Sequence, residues 1–186
     1  MKSLYSTLIA AAVLIAFAQI GWADNGPPSL HSWSEQITKK RFKVLDDFGG
    51  AAVLDNETGL VWEQGPSIET FCWTISASSP CVGATGLVDA LSHCYQLEVG
   101  GRKGWRVPTI EELASLVDTS QPSLTLPADH PFDVQATPHW SATTNASDAS
   151  RAWAVGFSTG LVFNPVKTAT REVWCVRGGQ GIDGFK

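Results

Sequence analysis

The residues of this 186-residue chain that could bind or react are four cysteines, four histidines and a set of tryptophans beside polar groups. The cysteines are Cys72, Cys81, Cys94 and Cys175, separated by 9, 13 and 81 positions. A structural zinc site would need close CxxC-type pairs, and these gaps do not supply them. An even count in an exported chain points instead to two disulfides. Three pairings are open. Cys72 and Cys81 flank a Ser/Pro-rich stretch that looks like a closed surface loop, and Cys94 would then join Cys175.

A second constellation surrounds Trp140. It is followed by Ser141, Thr143, Thr144, Asn145 and Asp148 in a stretch of little periodicity. A flat aromatic ring can cover the C–H face of a sugar, and hydroxyl, amide and carboxylate groups can take its hydroxyls. These six residues are the expected ligand-binding group. Trp33 and Trp73, in loop-like sequence, are further surface candidates. Trp62, Trp105, Trp153 and Trp174 lie in strand-like runs or beside a helix start, where core packing is the expectation.

Other chemistry finds less support. Asp118, Asp129, Asp133 and Asp148 are hard oxygen donors of the kind that hold Ca²⁺, but no EF-hand pattern joins them. His31, His93, His130 and His139 form no HExxH, so no metal site is expected. There is no G-x-S-x-G, and the cysteines are better used as bridges than as nucleophiles. A non-catalytic chain without a cofactor is the expectation.

Composition narrows the class. Charged residues make up 17% of the chain and hydrophobic ones 44%, which excludes a disordered polar chain. The net charge of −5 argues against nucleic acid as the main partner, because phosphate binding needs a basic surface. The N-terminus reads as an address. Lys2 precedes an apolar run from Leu8 to Ala18, and Gly21-Trp22-Ala23 supplies small residues at −3 and −1. That is the order of a secretory signal peptide over 1–23. Removing Lys2 takes the net charge to −6. No later stretch is apolar and long enough to span a bilayer, so the protein is expected in the periplasm or outside the cell.

Residues 24–40 are rich in Pro, Ser and charge and read as a linker. One domain is expected over 41–178, with a polar tail at 179–186. Within it, Arg41–Leu45 alternates like a strand. Ala52–Leu54 and Leu60–Trp62 flank the Gly-ended loop Asp55–Gly59 and read as a hairpin. From Leu87 the period becomes helical through Leu91 and Cys94 toward Leu97–Val99, and Gly100-Gly101 stops it. Thr109 and Glu112 form a capping box that opens a second helix over 109–118. A long Pro-rich loop over 119–150 follows, within which Trp140-Ser141 begins a strand. A second hairpin over 152–163 and a last strand over 173–177 close the chain. Helices grouped within an otherwise antiparallel β chain define an α+β domain.

These segments resemble a known family. Asp55-Asn56-Glu57-Thr58-Gly59-Leu60-Val61-Trp62, Trp105-Arg106-Val107-Pro108-Thr109 with Glu111-Glu112-Leu113, Trp140-Ser141-Ala142-Thr143-Thr144, Ala152-Trp153 and Cys175-Val176-Arg177 occur in an order similar to the C-terminal domain of the Legionella collagen-like adhesin. The resemblance covers about 41 to 178. It implies a C-type lectin-like fold with two helices, a long loop and a disulfide from the first helix to the last strand, and so also supports Cys94 with Cys175. It implies an exported, adhesin-like binding module; the best-studied relative binds sulfated polysaccharides. The expected partner is a polysaccharide or surface glycan, or else an envelope protein. Two departures stand out: this chain has no collagen-like Gly-X-Y region, and its net charge is negative.

Overall fold

The computed structural model describes residues 40–74 and 88–178, all within one compact unit, Ile37–Lys186. The expected signal peptide 1–23, nearly all of the linker 24–40, Cys81 and the tail 179–186 lie outside the described residues, as do Trp22, Trp33 and His31.

Two sheets and two helices make up the domain, an α+β arrangement dominated by sheet. The first sheet contains β1 (Phe42–Val44), β2 (Ala52–Asp55), β3 (Val61–Glu63), β4 (Trp105–Arg106) and β9 (Val176–Arg177), in the order β1-β2-β3-β9-β4. The second contains β5 (Pro138–Thr144), β6 (Ala152–Gly156), β7 (Leu161–Phe163) and β8 (Glu172–Val173), in the order β7-β6-β5-β8. Both expected hairpins are present: β2 pairs with β3, and β6 with β7.

Three expectations need correction. Antiparallel strands are expected throughout, but β5 and β8 pair in parallel, His139 with Glu172 and Trp140 with Val173. The run expected as one last strand is split. β8 belongs to the second sheet and β9 to the first, so Trp174 and Cys175 cross between them. The first helix, α1, is short, Ala90–Gln96. Asp89 caps it by accepting the Ser92 N–H, and Leu97 already has extended backbone, so Leu97–Val99 lie outside it. An Asp side chain at the N-cap satisfies an otherwise unpaired N–H and so decides where the helix starts.

The second helix, α2, spans Ile110–Ala114. Its capping box forms as expected: Thr109 Oγ1 accepts from the Glu112 N–H, and the Glu112 carboxylate accepts from the Thr109 N–H at 2.8 Å. Arg106 adds a two-pronged contact, donating to both Glu112 oxygens at 2.7 Å.

Alternation along the strands sends neighbouring side chains to opposite faces. Ala52 and Ala154 join one buried cluster with Phe71, Cys94, Trp105 and Trp140. Val53 and Val155 join the other with Trp62, Leu113, Phe132 and Trp174. α1 thus covers one side of the sheets through Cys94, and α2 the other through Leu113. Gly100 ends the turn after α1 at φ 57°, where an added Cβ would stand 2.5 Å from the Phe48 backbone, so only glycine fits.

Cys94 and Cys175 are bonded across 5.5 Å between Cα atoms, joining α1 to the crossover. Both are fully buried. Cys72 is also disulfide-bonded, and no described cysteine is free.

Candidate functional site

Trp140 and Ser141 are fully buried, so the expected sugar platform is not on the surface. The indole of Trp140 packs in the α1-side cluster, and its Nε1 donates to the Phe71 carbonyl at 2.8 Å. The Ser141 hydroxyl donates to the Trp153 carbonyl at 2.8 Å. Thr143 is half-buried, and its Oγ1 accepts the Ile110 N–H, which assists the start of α2. These three members of the expected ligand group hold the fold. β5 is a central strand of its sheet, and its buried positions take the residues nearest the strand's centre.

Thr144, Asn145 and Asp148 are different. They lie at the end of β5 and in the loop to β6, where the chain is half-buried to fully exposed. The loop shapes itself: Asn145 Oδ1 accepts the Ser147 N–H, and Asp148 accepts from the Ser150 N–H and hydroxyl. Those bonds, the hydroxyl first, hold the Asp148 carboxyl below its usual range. Arg151 pairs with Asp148 at 3.2 Å and donates to the Asn164 carbonyl.

Trp73 supplies the aromatic surface beside this loop. It is half-buried, and its Nε1 donates to the Ser141 carbonyl at 2.7 Å. Lys167 stands over it, with Nζ 3.9 Å from the ring centroid. The same Nζ donates to Thr144 Oγ1 at 2.9 Å. The backbone of Lys167 is tied on both sides, donating to Ser150 and accepting from Trp73. Three segments of the chain, about 71–74, 144–151 and 164–167, therefore meet on one patch. It presents an indole, two cations, a hydroxyl, an amide and a carboxylate. Lys167 and Arg151 carry no sequence signal of their own; Val166 bridging to Arg151 brings them together.

Among the described residues no group of three or more His, Cys, Asp or Glu side chains is gathered for a metal ion. Of the acidic residues considered for calcium, Asp118 is engaged by Ser120 and Gln121, as Asp148 is by Ser150 and Arg151.

A second concentration of titratable groups is sealed at the sheet junction, and sequence reasoning missed two of its three members. Glu63, His139 and Glu172 are 5%, 0% and 7% exposed. His139 Nδ1 is 3.0 Å from the Thr137 carbonyl, which places its proton on Nδ1 in the neutral ring. Its Nε2 faces Glu172 Oε2 at 3.4 Å. Burial pushes His139 down to about 4, against the Thr137 contact, and pushes Glu172 up, against the Thr137 hydroxyl. Both shifts favour an uncharged pair, as expected for ionisable groups taken out of water. Burial also raises Glu63 to about 7, opposed by the Cys175 N–H that its Oε2 accepts at 2.8 Å. Strand-like runs give no local sign that a polar residue faces inward, so only the packing reveals these groups.

The fold and patch define a small, disulfide-bonded α+β domain with a polar and aromatic loop surface at one end of its second sheet. Residues 51–177 match the model of the Lcl C-terminal domain, and the chain belongs to that family. No curated protein matches the chain. Among the described residues no helix is long and apolar enough to cross a membrane. That and the disulfide are compatible with an exported protein.

Proposed function

We propose that this domain is an exported, non-catalytic binding module, built on a C-type lectin-like fold, that recognises a carbohydrate or another cell-surface ligand. The observation that carries this reading is the meeting of Trp73, Lys167 and the Thr144–Arg151 loop on one surface. An indole with polar groups of both donor and acceptor type around it suits a sugar, which offers an apolar C–H face and hydroxyls at its rim. The strongly shifted titratable groups, Glu63 and His139, are sealed in the core and not open to a substrate, which favours binding over catalysis.

The test is a glycan array probed with residues 24–186, with and without Ca²⁺. Binding to at least one polysaccharide is expected. Trp73→Ala and Lys167→Ala should abolish it, while Tyr95→Ala, on the exposed side of α1, should leave it intact. A domain that binds no polysaccharide under either condition overturns the lectin reading.

A second reading, a protein-interaction component of the envelope, is favoured by the outer edge strand β7. Leu161 and Val162 are 64% and 45% exposed there, without a charge on the strand to discourage pairing. One stoichiometric protein partner, lost with Leu161→Lys and kept with Trp73→Ala, would establish that reading instead.

A further inference from the structure

One residue of β3, Glu63, makes three hydrogen bonds to the crossover from β8 to β9. Glu63 N donates to the Cys175 carbonyl at 3.2 Å, and Trp174 Nε1 donates to the Glu63 carbonyl at 2.9 Å. The Glu63 side chain then accepts the Cys175 N–H at 2.8 Å. The ladders that flank the crossover are short: β8 pairs with β5 through two residues, and β9 lies between β3 and β4, pairing with each through two.

Among the described residues, no cation pairs with the Glu63 carboxyl. From β2, Ala52 faces it across the ladder. From the crossover, the Cys175 N–H reaches it, while the Trp174 indole is bonded to the Glu63 backbone carbonyl. The other titratable groups of the junction, His139 on β5 and Glu172 on β8, face each other. A buried carboxyl in such a place can stay closed while it is neutral, because its carbonyl oxygen still accepts the Cys175 N–H. Once ionised it needs hydration that its 5% exposure restricts, and a parting of the crossover supplies it.

We propose that Glu63 and the Cys175 N–H form a proton-controlled latch on the crossover between the two sheets, closed while the carboxyl is protonated and loosened when the proton passes to solvent. The Cys94–Cys175 disulfide keeps the crossover tethered to α1, so the opening is local and does not unfold the domain. Loosening frees the short β5–β8 ladder at Trp140 and Val173, at the strand that leads into the Thr144–Arg151 loop. The latch thereby gives the fold a response to external pH between mildly acidic and neutral conditions.

The test is amide hydrogen exchange, read by NMR on the oxidised 24–186 chain between pH 5 and pH 8 and corrected for intrinsic exchange. The protection of the Cys175 amide should fall roughly fifty-fold over that range, most of it below pH 7. The Leu113 amide, bonded to Thr109 within α2, is the control and should not follow it. Glu63→Gln, which keeps an acceptor and cannot ionise, should hold the Cys175 protection high and flat. The carboxyl ¹³C shift of Glu63 in the unaltered chain gives a readout that does not depend on the variant folding, and should titrate near neutrality. A midpoint near that of a free glutamate, a pH-independent Cys175 amide, or the same decline in Glu63→Gln would each overturn the latch.

Discussion

The indole Nε1 of Trp140 donates to the Phe71 carbonyl oxygen at 2.8 Å inside the core. That bond separates two tryptophans that look alike in sequence. Trp140 ties β5 to the start of the 71–74 segment, while Trp73, two residues beyond Phe71, lies under Lys167 at the surface. Trp140→Ala should cost about 3–5 kcal/mol of stability, by cavity formation and an unpaired carbonyl. Trp73→Ala should cost less and instead remove ligand binding. Urea denaturation of both variants, beside the glycan array, checks the contrast. Equal stability losses would argue against it.

The buried groups of the sheet junction predict opposing pH slopes. Glu63 has a raised folded pKa of about 7, so its contribution is present below the unfolded value of 4.5 and is lost as pH rises through 7. His139 has a folded pKa lowered to about 4, so its contribution is present above 6.5 and is lost as pH falls through 4. Each shift corresponds to about 3 kcal/mol at full effect. The two should largely cancel between pH 4.5 and 6.5 in the unaltered chain. Glu63→Gln should unmask stability that rises with pH, and His139→Gln stability that falls. Urea midpoints at half-unit pH steps measure both slopes.

The Cys94–Cys175 disulfide closes a separation of 81 residues. On the chain-entropy account such a loop contributes about 4.5 kcal/mol. Replacing both cysteines by Ala should lower the unfolding midpoint accordingly and expose the crossover to exchange. A loss below about 1 kcal/mol would mean that the packing around Trp174 holds the crossover without the bridge.

Glu112 joins the cap of α2 to β4. Burial acts to raise its pKa, but hydrogen bonds from Arg106 and the Thr109 N–H, with the Arg106 charge, bring it below its usual value. Its contribution is therefore present above pH 4.5 and lost on acidification. Glu112→Ala removes the capping box and leaves Arg106 with only the carbonyls of Gly178 and Val107. A loss of about 1–2 kcal/mol at pH 7 is expected, from calorimetry or denaturant melts. The loss should shrink as pH falls below 4.5 and through the lowered folded value, where the unaltered chain gives up the contact as well.

The features legible in the sequence are those with local causes. Thr109 and Glu112 sit three apart before an apolar stripe, and the capping box forms. Asp55–Gly59 joins two β-prone runs, and the hairpin forms with Leu54 opposite Val61. The candidate site was less legible. Asp148 is exposed and Thr143, Thr144 and Asn145 are half-buried, while Trp140 and Ser141 are fully buried, because β5 becomes an inner strand. Trp153, expected in the core, is only half-buried. An irregular, Pro-rich stretch gives no period from which to tell an inner strand from a surface loop.

By itself the sequence determined the family, the α+β class, the capping box of α2, the two hairpins, and the spacing that favours Cys94 with Cys175. Each of these follows from residues close in the chain, or from one motif order. The tertiary structure alone decided which tryptophan faces water, which cation covers it, and which carboxyls are sealed at the crossover. Lys167 meets Trp73 and Thr144 across 94 and 23 positions of chain, and Glu63 meets Cys175 across 112. Such meetings depend on how one crossing segment joins two sheets, and no local propensity encodes that.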